Sequence, residues 1–243
     1  MPTILILGAA SDISVAAAGK YASHGYDLLL AARNCLRLAP VQSDLSIKYA
    51  VTVTLLEFDA LDYNSHQHFF DELPVKPDVT LCVFGYLGDN ETARNSWEES
   101  ARIIHTNYTG AVSVLNVVSN YYAAQKNGTI IGISSVAGVR GRQSNYIYGS
   151  AKAGFTTYLS GLRNRMFQEN VHVLTVLPGF VDTSMTADMS LPPLLTAKPE
   201  EVAEAVFNAA RSKKNIIYVK WFWRWIMLVI SCIPEFLFKK LKL

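Results

Sequence analysis

A chain of 243 residues with 50% hydrophobic and 17% charged residues is globular and holds material for one sizeable core. Three cysteines far apart (Cys35, Cys82 and Cys232) exclude a disulfide framework and fit a reducing compartment, and five scattered histidines offer no metal-ligand spacing. The net charge of +2 is uneven: from Ser212 onward seven lysines and arginines stand against Glu235, about +6, which leaves the body near −4 without a basic stripe to follow a nucleic acid.

Strands are expected at Thr3–Leu7, Asp27–Ala31, Val51–Phe58, Val79–Phe84, Gly128–Ser134, His172–Leu177 and Ile216–Val219. Helices are expected near Ile13–His24, Leu36–Lys48, Ser65–Glu72, Ser100–Gln125, Tyr146–Gln168 and Pro199–Ala210. The strands are almost continuously apolar, as strands covered on both faces are. Their alternation with helices predicts an α/β doubly wound parallel sheet of about seven strands in one domain, residues 1–219, with an apolar helical tail over 220–243. The first apolar run leads straight into glycine with no basic region before it, so a cytoplasmic location without a secretory signal is expected. One long irregular stretch, Asp182–Lys198, follows a strand's carboxyl end and is a candidate substrate lid.

The first strand ends in Gly8-Ala9-Ala10-Ser11-Asp12-Ile13-Ser14 at the start of a helix. Such a turn can aim backbone N–H groups at a pyrophosphate, although an ordinary strand–helix turn has the same pattern. After the second strand, Ala32 stands where an acid would grip a ribose hydroxyl, and Arg33 can pair with a 2′-phosphate, which favours NADPH while leaving NADH open. Asp59 and Ala60 follow the third strand, where an adenine ring would lie; a helix-capping aspartate is the alternative. Asn107 sits inside a helical pattern, where an amide has no propensity reason to be. A water chain to Lys152 would give it partners, and so would an ordinary core environment.

Ser135 ends the fifth strand, and Tyr148 and Lys152 stand four residues apart on the helix that follows. That spacing puts phenol and ammonium on one helix face. An ammonium beside a phenol is expected to lower the tyrosine pKa and equip it to pass a proton to a carbonyl oxygen held by the serine hydroxyl. A second Tyr/Lys pair, Tyr122 and Lys126, lacks the upstream serine and is expected to be a helix-surface pair. After the sixth strand, Pro178-Gly179-Phe180-Val181-Asp182-Thr183 exposes backbone groups and offers the Thr183 hydroxyl to a nicotinamide carboxamide.

Taken together, these residues resemble the short-chain dehydrogenase/reductase family over nearly the full length, to about Val219. The resemblance implies a Rossmann-type fold, hydride transfer with a nicotinamide cofactor, and a catalytic tetrad falling on Asn107, Ser135, Tyr148 and Lys152. The cofactor residues it implies are Gly8, Ser11, Asp12, Ile13, Arg33, Asp59, Ala60, Gly85, Tyr148, Lys152, Pro178, Gly179, Val181 and Thr183. Two departures stand out: the family's glycine triplet is reduced to Gly8, and its Asn-Asn-Ala-Gly after strand four reads Cys82-Val83-Phe84-Gly85. A narrower similarity links Phe58–Asp62, Phe84–Asp89, Asn107–Val114, Ser144–Ser150 and Ile233–Leu241 to the reductase subunits of decaprenylphosphoryl-ribose 2-epimerases. That similarity implies reduction of a keto sugar on a polyprenyl phosphate, with a flavin-dependent oxidase as partner.

From Trp221 to Ile233 the chain reads Trp-Phe-Trp-Arg-Trp-Ile-Met-Leu-Val-Ile-Ser-Cys-Ile, too short to span a bilayer, which takes about 20 residues. With Lys239, Lys240 and Lys242 beyond it, the tail is expected to lie on the inner face of a membrane. A buried helix closing the sheet and a dimer-interface helix are the alternatives, and a homo-oligomer is expected. Function then has three candidates: the lipid-linked keto-sugar reductase, a soluble 3-ketoacyl or small-ketone reductase, and a cofactor-sensing scaffold without turnover.

Overall fold

The computed structural model describes residues 1–187 and 189–241. Strands β1 (Thr3–Leu7), β2 (Asp27–Ala32), β3 (Val53–Glu57), β4 (Val79–Cys82), β5 (Thr129–Ile133) and β6 (His172–Pro178) belong to one sheet. A two-residue bridge joins β7 (Phe180–Val181) to β8 (Thr196–Ala197), and β9 (Ile216–Val219) completes the main sheet. The order is β3-β2-β1-β4-β5-β6-β9, with every neighbouring pair parallel. All seven expected main-sheet strands are present, and the order reverses between β1 and β4 at the point where doubly wound sheets open a crevice.

The helices are α1 (Asp12–Ala22), α2 (Ala39–Tyr49), α3 (His66–Asp71), α4 (Asn90–Asn95), α5 (Trp97–Ile104), α6 (Gly110–Gln125), α7 (Tyr146–Phe167), α8 (Pro199–Arg211), α9 (Trp223–Cys232) and α10 (Glu235–Phe238). Side chains alternate across a strand, so β1 divides its own core. Ile4 and Ile6 pack with α1, α2 and α8, whereas Leu5 and Leu7 pack with α3, α6 and α7. Burial of whole strands on both sides explains the unbroken apolar runs.

Two expectations need correction, and one further element appears. The helix expected over Ser100–Gln125 is two helices joined by a π-turn at His105–Thr109, and the fully buried Asn107 lies in that turn. Its amide bonds to Ile103 and to Tyr86, outside the helix, which suits a π-bulge better than a regular ladder. The short α4 was not anticipated, because a polar six-residue helix capped by Asp89 has no apolar period. Tyr122 is not on a surface: its hydroxyl is hydrogen-bonded to Thr80 at 2.9 Å inside the core, and Lys126 is the left-handed cap of α6.

The tail folds back onto the body. Trp223 and Met227 of α9 are buried with Val136 and Leu177. Arg140 locks the far end, its guanidinium donating to the carbonyls of Ile230 at 3.2 Å and of Ser231 and Ile233 at 2.8 Å. The same group pairs with Glu235 and lies 3.9 Å from the Phe238 ring centre. A cation at a helix carboxyl end meets its unpaired carbonyls and the negative end of its dipole. Among the described residues no helix is long and apolar enough to cross a membrane; Lys242, expected to contribute to the basic end, lies outside them.

Candidate active site

The carboxyl ends of β1 and β4 diverge over a cleft with two connected lobes that share Val83, Gly85 and Met185. Gly8, with φ +88°, opens the first lobe. A side chain there would be in the wrong backbone region, and its Cβ would stand 2.6 Å from the backbone nitrogen of Phe84. The other two glycines of a dinucleotide turn are not needed in this chain. Ser14 is fully buried and donates to the Gly8 carbonyl at 2.8 Å, while Ser11 caps α1 by accepting from the Ser14 amide. A small hydroxyl thus closes the turn that a glycine usually permits.

Asp12 faces away from both lobes. Its carboxylate accepts from the amide and hydroxyl of Ser184 at 2.8 and 2.9 Å, tying α1 to the irregular segment after β7. Ser11 lines the first lobe and Ile13 the second, so the amino end of α1 lies between them. Arg33 is exposed on the first lobe, together with Ala32, Asp59 and Ala60. Sequence reasoning missed Arg37, which lines the same lobe and has Glu57 nearby. Glu57 shapes this corner by accepting from the amides of Asn34 and Cys35, and these bonds hold its carboxyl below the usual range. Asp59 accepts from the Leu61 amide at 2.9 Å, a local turn rather than a helix cap.

The second lobe gathers Ser135, Tyr148, Lys152, Pro178, Gly179, Val181 and Thr183, brought from β5, α7 and the β6–β7 corner. Ser135 leaves β5 in an extended conformation and caps the turn at Val136–Gly138, with its hydroxyl oxygen accepting from Ala137. Its hydroxyl and the Tyr148 phenol line the same lobe. Lys152 is 3% exposed, donates to the Ile133 carbonyl at 3.1 Å, and stands 5.8 Å from the Tyr148 ring centre.

The electrostatics reverse one expectation. Burial pushes the Tyr148 phenol up to about 12, against a smaller downward pull from the Ser135 hydroxyl; Lys152 is not what sets it. The same desolvation lowers Lys152 to about 8 and raises the neighbouring Cys82 thiol to about 12. Cys82, buried in the core beneath the cleft, is therefore a protonated thiol and not a thiolate.

Asn107 does not line either lobe. Its amide nitrogen donates to the Tyr86 and Ile103 carbonyls at 2.6 and 2.9 Å, and its oxygen accepts from the Tyr86 amide at 3.2 Å. Both of its amide protons are thereby spent on bracing the loop after Gly85, while its oxygen keeps a second acceptor position and, with the Lys152 ammonium, borders Gly85. Trp223, also missed in the sequence, lies directly on Gly179, where any side chain would collide with the indole, and donates to the Leu195 carbonyl at 3.2 Å. The segment from Asp182 to Lys198 crosses the cleft, with Met185 on both lobes and its ends joined by the β7–β8 bridge.

These residues fit a dinucleotide. A bare glycine turn and a helix start sit between the lobes, two arginines flank one end, and the proton-handling cluster lies at the other. The sequence profile described as short chain dehydrogenase matches residues 2–192. An uncharacterized oxidoreductase of Mycobacterium tuberculosis is 33% identical over 98% of this chain and 96% of its own. An NADP-dependent 3-hydroxy acid dehydrogenase of Schizosaccharomyces pombe is 26% identical over 88% and 89%. Among solved structures, a short-chain dehydrogenase from Sphingobium yanoikuyae in complex with NADPH superposes with a TM-score of 0.83 at 23% identity, over 97% of each chain. With the profile spanning most of the chain and a relative this similar end to end, the chain belongs to the short-chain dehydrogenase/reductase family, whose members are oxidoreductases.

Proposed function

We propose that the protein is an NADPH-dependent ketoreductase acting on a keto sugar carried by a polyprenyl phosphate. The observation that carries the reaction type is the convergence of Ser135, Tyr148 and Lys152 on one lobe of a cleft whose other lobe fits a dinucleotide. NADPH supplies a hydride when bound. Ser135 orients the substrate carbonyl oxygen, and Tyr148 gives that oxygen its proton. Lys152 holds the nicotinamide ribose and carries the positive charge beneath the phenol. Asn107 serves as a positioning residue by bracing the loop after Gly85. A phenol held near 12 remains protonated across the physiological range, which suits an acid for reduction better than a base for oxidation.

Preference for the phosphorylated cofactor rests on Arg33, Arg37 and the missing acid at Ala32. The NADP-dependent name of the fission yeast relative agrees. Gly8, Ser11 and Ile13 would meet the pyrophosphate, Asp59 and Ala60 the adenine, and Gly85, Pro178, Gly179, Val181 and Thr183 the nicotinamide half. Asp12 would serve only by its backbone, since Ser184 takes its carboxylate. Replacing Arg33 by serine should raise the KM for NADPH by about tenfold and leave NADH within about twofold, as loss of one exposed phosphate contact would. Equal loss with both cofactors in steady-state kinetics would remove Arg33 from that role.

The lipid-linked substrate is supported by the apolar wall of the second lobe and by the outer face of the tail. Trp221, Trp225, Leu228, Val229, Phe236 and Leu237 are exposed there, with Arg224, Lys239 and Lys240 alongside. Interfacial aromatics with basic neighbours suit an anionic lipid surface, and a flavin-dependent oxidase would supply the ketone. A second reading, a 3-ketoacyl or small-ketone reductase, takes its support from the fission yeast relative, a 3-hydroxy acid dehydrogenase. NADPH oxidation should be followed against polyprenyl-phosphate keto sugars in anionic vesicles and against 3-ketoacyl thioesters in solution. Turnover of the thioesters alone would replace the first reading with the second, and NADPH binding without any turnover would favour a sensing scaffold.

A further inference from the structure

The loop Arg140-Gly141-Arg142 carries two arginines with different surroundings. Arg140 is fully engaged with the end of α9 and with Glu235. Arg142 is half-buried in the wall of the second lobe, together with Ser135, Asn145, Tyr148 and Lys152. Its Nε is shielded from solvent and has no partner, and among the described residues its guanidinium makes no ion pair. Asn145, beside it, also has a shielded and unpartnered Oδ1. No described residue lining this lobe is a carboxylate, whereas two are cations. Two acids, Asp89 and Glu91, line the adjoining depression and are taken by Thr92 and Arg94.

A guanidinium with its Nε shielded from water, and with no counter-charge among the described residues, carries a desolvation cost that a bound anion would offset. The cofactor is not the source of that anion. Gly8 and Ser11 of the turn that would meet its pyrophosphate, and the arginines for its adenosine end, line the first lobe, which Arg142 does not; of that turn only Ile13 lines the second. We propose that Arg142 is a substrate-binding residue that pairs with an oxyanion, phosphate or carboxylate, carried by the ketone substrate close to the carbonyl, with Asn145 accepting from a neighbouring hydroxyl. This rests on the ketoreductase reading for the identity of the occupant, but the anion site itself is testable without turnover.

The test is calorimetric titration of the protein saturated with NADP⁺. The probes are dimethyl phosphate and butyrate, each set against its uncharged counterpart, trimethyl phosphate and butyramide. Wild type should bind at least one anion about tenfold or more tightly than its neutral counterpart, the worth of one charge-assisted pair. Arg142→Gln should lose that difference while binding the neutral probes and NADP⁺ as before, and Arg142→Lys should retain part of it. Whichever anion binds better separates a phosphate-bearing from a carboxylate-bearing substrate. If neither anion is preferred by wild type, or if Arg142→Gln binds the anions as wild type does, the assignment is wrong. An Arg142-dependent anion site in a protein that reduces no ketone would leave the inference standing and remove the ketoreductase reading.

Discussion

Replacing Tyr148 by phenylalanine should lower ketone reduction by about 10³-fold while leaving the dissociation constant for NADPH within about tenfold of wild type. The ring stays in place and only the proton donor is lost. The factor follows from what the donor must do. As the carbonyl carbon takes up hydride its oxygen develops alkoxide character, far more basic than any phenolate, so even a phenol held at about 12 gives its proton downhill. The pH profile of wild type then has a definite shape. The acid remains protonated through the neutral range, so the reduction rate should be flat there. It should fall as pH rises through about 8, where buried Lys152 loses its charge and its hold on the ribose weakens. Stopped-flow measurement of NADPH oxidation, with cofactor binding followed by nicotinamide fluorescence, separates the two effects. Wild-type rates in the phenylalanine variant would remove Tyr148 from the chemistry.

Most of this frame was legible in the residues. The seven apolar runs of the main sheet are where the strands are, and the five strands between the edges β3 and β9 are almost wholly buried, which keeps charged residues from interrupting them. The Ser135, Tyr148 and Lys152 cluster was legible because its parts lie close along the chain, with two of them one helical turn apart. What escaped depends on contacts distant in sequence. Trp223 on Gly179, Arg140 on the end of α9, and Asp12 on Ser184 join segments tens to more than a hundred residues apart, and no local period announces such pairs. The tail shows the same limit. Its composition is that of an interfacial helix, but only the fold reveals that Trp223 and Met227 are spent on the body while Trp225 and Val229 face outward. Proton affinities were the least legible, because the spacing of Tyr148 and Lys152 says nothing of how dry their surroundings are.

That dryness makes Lys152 the subject of the second large effect. In the unfolded chain its amine has the ordinary lysine value of 10.5, and in the fold it titrates near 8. Below about pH 8 it is charged in both states, and the folded state bears the full cost of burying the charge. Between about 8 and 10.5 the unfolded chain binds more protons than the folded one, so this residue's contribution to stability improves as pH rises. The difference is worth about 3 kcal/mol by the usual conversion. A Lys152→Met variant removes that cost at neutral pH and leaves the Ile133 carbonyl without its partner, a loss of about 1 kcal/mol. The net expectation at pH 7 is a cofactor-free protein about 2 kcal/mol more stable than wild type, with Tm raised by about 6 °C, and with reduction lost by about 10²-fold or more. Wild type should close this stability gap as pH rises towards 10.5. Urea unfolding of both proteins across that range under reducing conditions measures it directly. A variant less stable than wild type at pH 7, or a gap that does not change with pH, would mean that the Lys152 ammonium is well solvated or well paired in the fold. An active site that retains so costly a cation holds it for what it does to the bound cofactor and to Tyr148, since the fold alone would be better served by an apolar side chain of the same length.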